Sequence, residues 1–250
     1  MINEIEGLLR IRFTTSHPKD LGSDLIPAFR NLDKLCPHIH LPVQSGSNRI
    51  LKRMNRQYTR EQYLDKVTKL RDTCPQIAIT SDIIVGFPGE SEADFEQTLE
   101  LIKTVEFDGL FAFQYSDRPQ APSVKLPDKL SESIIKKRLQ ILLDLQEKFT
   151  RRKNEALVGS TLLVLTDGLS KKQISDRPVE NGRDLQWTGR TSTNKIVNFY
   201  MDEPVAGCEN LTGKMVSVRI DKGFSHSLLG RVINVEPSAG GLKGVENYAA

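Results

Sequence analysis

The sequence is short of cysteine. Only Cys36, Cys74 and Cys208 occur in 250 residues, far apart, and two of them directly precede a proline. An odd number at such spacing excludes a disulfide framework and a local metal-ligand cluster, and it fits reduced, buried thiols in a cytosolic protein. Long apolar runs are also missing: nothing approaches the roughly 18 to 20 residues that a bilayer-crossing helix needs. The first residues, Met1 to Glu6, are acidic where a secretory leader is positively charged. Membrane insertion and secretion are therefore not expected, and a cytoplasmic location is. There is no Walker A sequence, no dinucleotide fingerprint, no serine nucleophile elbow and no cysteine with a catalytic partner. Hydrolytic catalysis lacks support.

What is present has the balance of a soluble globular protein, with 38% hydrophobic and 27% charged residues. The length allows one large domain, or one medium and one small. The net charge is +3, and residues 1–150 are neutral, with 21 basic and 21 acidic side chains against 14 and 11 in the rest. Within the neutral part the signs separate. Arg49, Lys52, Arg53, Arg56 and Arg60 form a basic run, whereas residues 81–100 hold Asp82, Glu90, Glu92, Asp94, Glu96 and Glu100 with no base. Such runs are solvated helix faces or, for the basic one, the flank of a phosphate-binding site.

Strands and helices alternate through the first half, which indicates an α/β fold with a parallel sheet. Strands are predicted at Leu8–Phe13, His38–Val43, Ile77–Val85 and Gly109–Tyr115, the third of them buried on both faces. Helices are predicted over Leu21–Leu35, Asn48–Met54, from Thr59 to before Pro75, from Ser91 past Ile102, and over Ser131–Leu157. The last carries an apolar stripe of Ile135, Leu139, Leu142, Leu145 and Phe149. Loops of unusual chemistry, Thr14–Pro18, Gln44–Ser47, Gly86–Glu90 and Ser116–Pro122, all follow strand C-termini, the edge where parallel α/β sheets bind ligands. After Gly159 five short β-type runs suggest a small β-barrel of a kind that binds oligonucleotides. The expected division is 1–158, 159–237 and a frayed tail, 238–250.

Gln44–Ser47 offers an amide, two hydroxyls and a glycine that lets backbone approach a ligand; ordinary turn chemistry explains the same residues. Gly86–Glu90 places a Gly/Pro turn before a helix N-terminus, which can present N–H groups to an anion. His38 and His40 alternate on one strand face, as structural residues or as a metal-binding pair. In the β-region Arg190, Lys195 and Arg231 are interleaved with Asn194, Trp187, Phe199 and Tyr200, as on an RNA-stacking surface or a solvated barrel.

At these residues a resemblance becomes specific. Arg10-Ile-Arg-Phe-Thr-Thr-Ser-His-Pro18, His40-Leu-Pro-Val-Gln-Ser-Gly-Ser47 with Leu51-Lys-Arg-Met-Asn-Arg56, Ser81-Asp-Ile-Ile-Val-Gly-Phe-Pro-Gly-Glu90 and Phe113-Gln-Tyr-Ser-Asp-Arg-Pro119 resemble the radical S-adenosylmethionine methylthiotransferases. Gly189-Arg-Thr-Ser-Thr-Asn-Lys195 resembles the RNA-binding surface of that family's C-terminal TRAM domain. The match runs over nearly the whole chain, and its wording is that of the branch that modifies isopentenylated adenosine next to the tRNA anticodon. Sister branches act on threonylcarbamoyladenosine or a ribosomal protein.

The resemblance implies a partial (β/α) barrel followed by an OB-like TRAM barrel, and S-adenosylmethionine with [4Fe-4S] clusters as cofactors. It implies a 5′-deoxyadenosyl radical that takes hydrogen from C2 of the adenine, then methylthio transfer from a second cluster. Partners would be tRNA and an electron donor, with the protein a monomer. By position Gln44, Ser45 and Ser47 would sit beside the cofactor's ribose or methionine part, and Ile84, Val85 and Gly86 beside its adenine. Arg12, Tyr115 and Arg118 would face the barrel mouth and contact cofactor or tRNA, while Arg190, Asn194 and Lys195 would grip RNA.

The departures matter equally. The family's Cys-x3-Cys-x2-Cys motif and its N-terminal cysteines are absent, the first two barrel strands are missing, and Gln120 replaces a glycine usual after Arg-Pro. No residue is therefore assigned as catalytic or metal-ligating. The chain is expected to be a C-terminal fragment, inactive alone, or a non-catalytic RNA-binding protein.

Overall fold

A computed structural model describes residues 2–12, 14, 17–22, 24–171, 185–201 and 210–236. The chain forms two compact units, one of Arg12–Leu32 with Pro37–Lys153, the other of Met1–Ile11, Asp33–Cys36 and Asn154–Ala250.

The first unit is built on a parallel sheet of β1 (His38–His40), β2 (Ala78–Val85) and β3 (Gly109–Gln114), in that order. Five helices accompany it: α1 (Leu25–Asn31), α2 (Asn48–Arg53), α3 (Arg60–Thr73), α4 (Glu92–Val105) and α5 (Glu132–Glu155), the last two residues of α5 falling in the other unit. Two of them start where the sequence says they should. Thr59 and Ser91 each accept a hydrogen bond from the N3 backbone N–H, and Gln62 and Asp94 reach back to complete reciprocal capping boxes. α3 buries Tyr63, Val67 and Leu70 and stops at Cys74, ahead of Pro75. α4 buries Phe95, Leu101, Ile102 and Val105 and ends on Glu106 in the left-handed conformation.

Several expectations need correction. Leu8–Phe13 is not a strand: Ile11 alone makes a bridge, to Leu35, and Phe13 lies outside the described residues. Alternation predicts a strand only where a ladder exists, and here two backbone bonds, Ile11 N to Lys34 O and Cys36 N to Ile11 O, are all that forms. The predicted Leu21–Leu35 helix contracts to α1, because Leu32 turns extended. β2 is not buried on both faces. Ile79, Ser81, Ile83 and Val85 are buried, but Thr80, Asp82 and Ile84 are half-buried, and Phe111 and Phe113, the register partners of Asp82 and Ile84, are exposed. The stripe on α5 is mixed: with Ile135 and Leu142 it buries Arg138, Gln146 and Asn154.

The second unit contains the small barrel expected from the short β-runs. β4 (Thr161–Leu169), β5 (Gln186–Thr191), β6 (Ile196–Tyr200), β7 (Met215–Gly223) and β8 (Leu228–Val235) close in the order β4-β5-β6-β8-β7. All pairs are antiparallel except β6 with β8. Inward residues fill it: Val164, Trp187, Val197, Phe199, Val216, Val218, Ile220 and Leu228, with Leu211 beside them. Glycine is required twice for closure, since a Cβ at Gly189 or Gly230 would lie 2.3 or 2.2 Å from a carbonyl oxygen of the neighbouring strand. Cys208 and the tail 238–250 lie outside the described residues.

Candidate functional site

The C-terminal ends of the three parallel strands meet at one edge. Beyond β1 the chain keeps step with β2: Leu41 N donates to Thr80 O, Gln44 N to Asp82 O, and Ile84 N to Gln44 O. Tyr115 N donates to Val85 O at 2.8 Å. Gln44, Val85–Gly86 and Tyr115 are thereby brought side by side, as the loop chemistry predicted. Of the loop Thr14–Pro18, Thr15 and Ser16 lie outside the described residues. Arg12 is exposed, in the segment where a strand was expected.

The loop Gln44–Ser47 is held by α4. Gly46 N donates to Thr98 Oγ1 at 3.0 Å, Ser45 Oγ lies 3.5 Å from the same oxygen, and Ser47 Oγ donates to Asp94 Oδ1 at 2.6 Å. Ser47 also caps α2 through Ile50 N. Both serines are thus engaged within the protein. Gly46 serves helix packing, since a Cβ there would stand 2.5 Å from Gln97 O and Thr98 Cα. Gln44 differs. Its φ of +71° is the left-handed region that a non-glycine residue occupies at a cost of about 1–3 kcal/mol. It is only 7% exposed, and its side-chain amide has no partner among the described residues.

Three amides of the turn Gly86–Glu90 are engaged within the protein. Gly86 N donates to Glu90 Oε2 at 3.0 Å, Gly89 N to Asp128 O at 2.8 Å, and Glu90 N to Phe87 O at 2.9 Å. Gly86 has φ +78°, and a Cβ there would meet Ile135 Cγ1 at 2.5 Å, so α5 presses on the turn. Glu90 is locked to Arg138 of α5: Nη1 donates to Oε2 at 2.7 Å and to Glu90 O at 3.1 Å, and Nη2 reaches Glu92 Oε2 at 2.8 Å. Burial pushes the Glu90 carboxyl above its usual range, while Arg138 and the Gly86 N–H pull it back.

The separated charge runs of the sequence pair in space. Arg49 grips both carboxylate oxygens of Asp94 and donates to Gly89 O, Arg53 Nε donates to Pro88 O at 3.1 Å, and Arg60 lies 3.5 Å from Glu100. Burial alone would raise the Asp94 carboxyl, but hydrogen bonds from Arg49, Ser47 and Ser91 outweigh it and hold Asp94 well below the usual carboxylate range. Asp94, Thr98, Arg49, Glu90 and Arg138 are therefore the supports of this edge. The Ser91/Asp94 capping pattern was a signal for Asp94; nothing in the sequence pattern singled out Arg138.

Tyr115 packs edge-on against Phe87, ring centres 5.2 Å apart, and its hydroxyl donates to Asp117, itself 2.6 Å from Lys129. Ile84 is half-buried and Arg118 is exposed. In the barrel, the turn between β5 and β6 gathers the other three predicted residues. Arg190 Nη1 donates to Asn194 Oδ1 at 3.1 Å, Asn194 takes φ +67°, and Lys195 Nζ donates to Asn154 Oδ1 at 2.8 Å. Arg10 donates to Arg190 O and Leu163 O.

Residues 1–102 match the model of the Radical SAM superfamily. A tRNA-2-methylthio-N(6)-dimethylallyladenosine synthase of Desulfosudis oleivorans is 51% identical over 96% of this chain and 52% of its own length. One of the same name from Syntrophus aciditrophicus is 51% identical over 93% of this chain and 47% of its own. Over nearly its whole length this chain is similar to synthases of that name. It spans about half the length of the curated relatives it matches. Among solved structures, Escherichia coli coproporphyrinogen III oxidase aligns with a TM-score of 0.49 at 14% identity, covering 84% of this chain and 46% of that one.

The radical SAM family implies S-adenosylmethionine and a [4Fe-4S] cluster, and the two fit this chain differently. Cluster ligands are thiolates. Cys36 and Cys74 are buried, form no disulfide and lie outside any Cys-x3-Cys-x2-Cys spacing, and burial pushes the Cys74 thiol up, away from the thiolate. Among the described residues no group of three or more His, Cys, Asp or Glu is placed to hold a metal. His40 instead pairs with Thr80 at 3.0 Å and Asp82 at 3.3 Å. The residues present do not fit the cluster. Towards the sulfonium cofactor the chain offers Gln44, a buried residue whose side-chain amide has no partner among the described residues.

Proposed function

We propose that this chain serves in methylthiolation of C2 of N6-isopentenyladenosine next to the tRNA anticodon. The observation that carries the reading is the 51% identity over 96% of the chain to a relative bearing the name of that synthase. Bound at the strand edge, in an enzyme that also holds the cluster, S-adenosylmethionine would supply the methyl group and the adenosyl group of the radical chemistry. The chain's own residues position it. Gln44 would offer its amide to a ribose hydroxyl, and Ile84, Val85 and Gly86 would flank the adenine. Ser45 and Ser47 act by fixing the loop. Tyr115, Arg118 and Arg12 face cofactor or tRNA.

The barrel is proposed as an OB-like TRAM domain within residues 159–237, with Arg190, Asn194 and Lys195 contacting RNA backbone. The thiol chemistry favours a second reading for the 250 residues taken alone, a non-catalytic RNA-binding protein. Filter retention of tRNA at several salt concentrations, on this chain and on Lys195→Ala, tests what the two readings share. Salt-sensitive binding weakened by the substitution supports both, because phosphate contacts release counterions. Absence of binding at low salt removes the RNA role of the barrel.

A further inference from the structure

β6, β8 and β7 share a register that puts Tyr200 beside Arg231 and Arg231 opposite Arg219. Paired strands run about 4.8 Å apart, so the two arginines are cross-strand neighbours. Like charges directly opposed destabilise a sheet, and the barrel core makes no use of these two, whose side chains are 58% and 52% exposed. Asp221 sits between them, 3.7 Å from Arg219 Nε and 3.4 Å from Arg231 Nε, and Arg231 is held by a further interaction. The terminal nitrogens of Arg219 have no partner among the described residues. On the other side, Gln186 Nε2 donates to the Tyr200 hydroxyl at 2.7 Å and fixes a half-buried ring. Around the barrel the register line therefore runs Gln186, Tyr200, Arg231, Arg219, Thr161.

We infer that this row is an RNA-contacting face, on which Arg219 and Arg231 take backbone phosphates and Tyr200 stacks an unpaired base. The inference rests on the proposed RNA role of the barrel and extends it beyond the β5–β6 turn. Guanidinium forks match phosphate oxygens, and an aromatic face accepts any base. Single-stranded RNA needs both kinds of group alternating at short range, which this row supplies. Arg190 lies on the same side of β5 as Gln186, four residues or about 13 Å along the strand. One RNA segment can therefore touch both the turn and the row. The cations of the turn are partly engaged, Lys195 by Asn154 and Arg190 by Asn194, whereas the row keeps free guanidinium nitrogen at Arg219.

The test is fluorescence anisotropy of a labelled RNA hairpin with an unpaired loop, on the 250-residue chain, from about 50 to 200 mM salt. Arg219→Gln and Arg231→Gln are each expected to weaken binding several-fold and to reduce the slope of log affinity against log salt by about 0.7–0.9. Tyr200→Leu is expected to weaken binding of the hairpin but not of a fully paired duplex, with the slope unchanged, and Tyr200→Phe, which keeps the stacking face but loses the Gln186 bond, to weaken it less. Slopes untouched by both arginine substitutions, with Lys195→Ala still lowering affinity, overturn the row while the turn keeps its RNA role. No hairpin binding by the unaltered chain removes both.

Discussion

Glu90 and Arg138 stand 48 residues apart in sequence and 2.7 Å apart in space, with side chains 2% and 7% exposed. The pair ties the turn after β2 to the first half of α5, and the same carboxylate holds Gly86 N. Phe95 adds its ring, 5.2 Å from the guanidinium carbon. The edge that carries Gln44, Gly86 and Tyr115 is therefore set by buried charge as well as by apolar packing.

Removing the Glu90 charge leaves the buried Arg138 guanidinium with only the exposed Glu92 carboxylate as an ionic partner. Glu90→Gln is expected to destabilise the first unit by about 3–5 kcal/mol. Glu90→Gln with Arg138→Met should recover much of the loss. Urea unfolding followed by helical circular dichroism measures both, and a double variant no better than Glu90→Gln would show that the charge itself is not the issue.

Asp94 gives a pH dependence whose sign is fixed. Its folded-state affinity for protons is lowered by Arg49, Ser47 and Ser91 after burial has been overcome. A depressed carboxyl contributes stability that is complete above its unfolded value, about 3.9, and is lost as pH falls below that toward the folded value. Thermal unfolding between about pH 7 and pH 3 should show this loss in the unaltered chain. Asp94→Asn should start less stable at neutral pH and lose less on acidification. Equal acid sensitivity of the two would remove Asp94 as the source.

How much of this was legible depended on which force set each feature. The helix starts at Thr59 and Ser91 were readable because capping is local chemistry. The barrel strands were readable because inward and outward residues alternate, as in Val216, Val218 and Ile220. Leu8–Phe13 misled because alternation is silent about whether a partner strand exists. Arg138 and Gln146 escaped because apolar periodicity ignores polar residues buried with partners, and Gln146 donates to Phe107 O at 2.8 Å. Gly46 was attributed to ligand approach when the close neighbour is α4, a contact between residues some fifty positions apart.

Closure of the barrel makes a prediction of its own. Gly230→Ala would put a methyl group 2.2 Å from Arg219 O, a backbone atom that cannot swing aside. Forced repacking of this kind costs about 1–3 kcal/mol or more. The sequence has one tryptophan, Trp187, and it lies in the barrel core, so its fluorescence reports this unit. The substitution should lower the midpoint of the tryptophan transition. An unchanged midpoint would mean that β7 and β8 tolerate separation.

The cluster is where the chemistry of this chain departs from that of the proteins it resembles. Radical SAM enzymes hold iron through thiolates, yet the cysteines described here are buried, lie in the two different units and are not spaced as a ligand set. Anaerobic reconstitution with iron and sulfide is therefore expected to give no stoichiometric [4Fe-4S] absorption band on the 250-residue chain. Substituting Cys36 and Cys74 by serine, singly or together, should leave that null result unchanged. A band that appears on the unaltered chain and vanishes in the double variant would mean that the units rearrange to expose those thiols, and the catalytic reading of the chain alone would then replace the RNA-binding one.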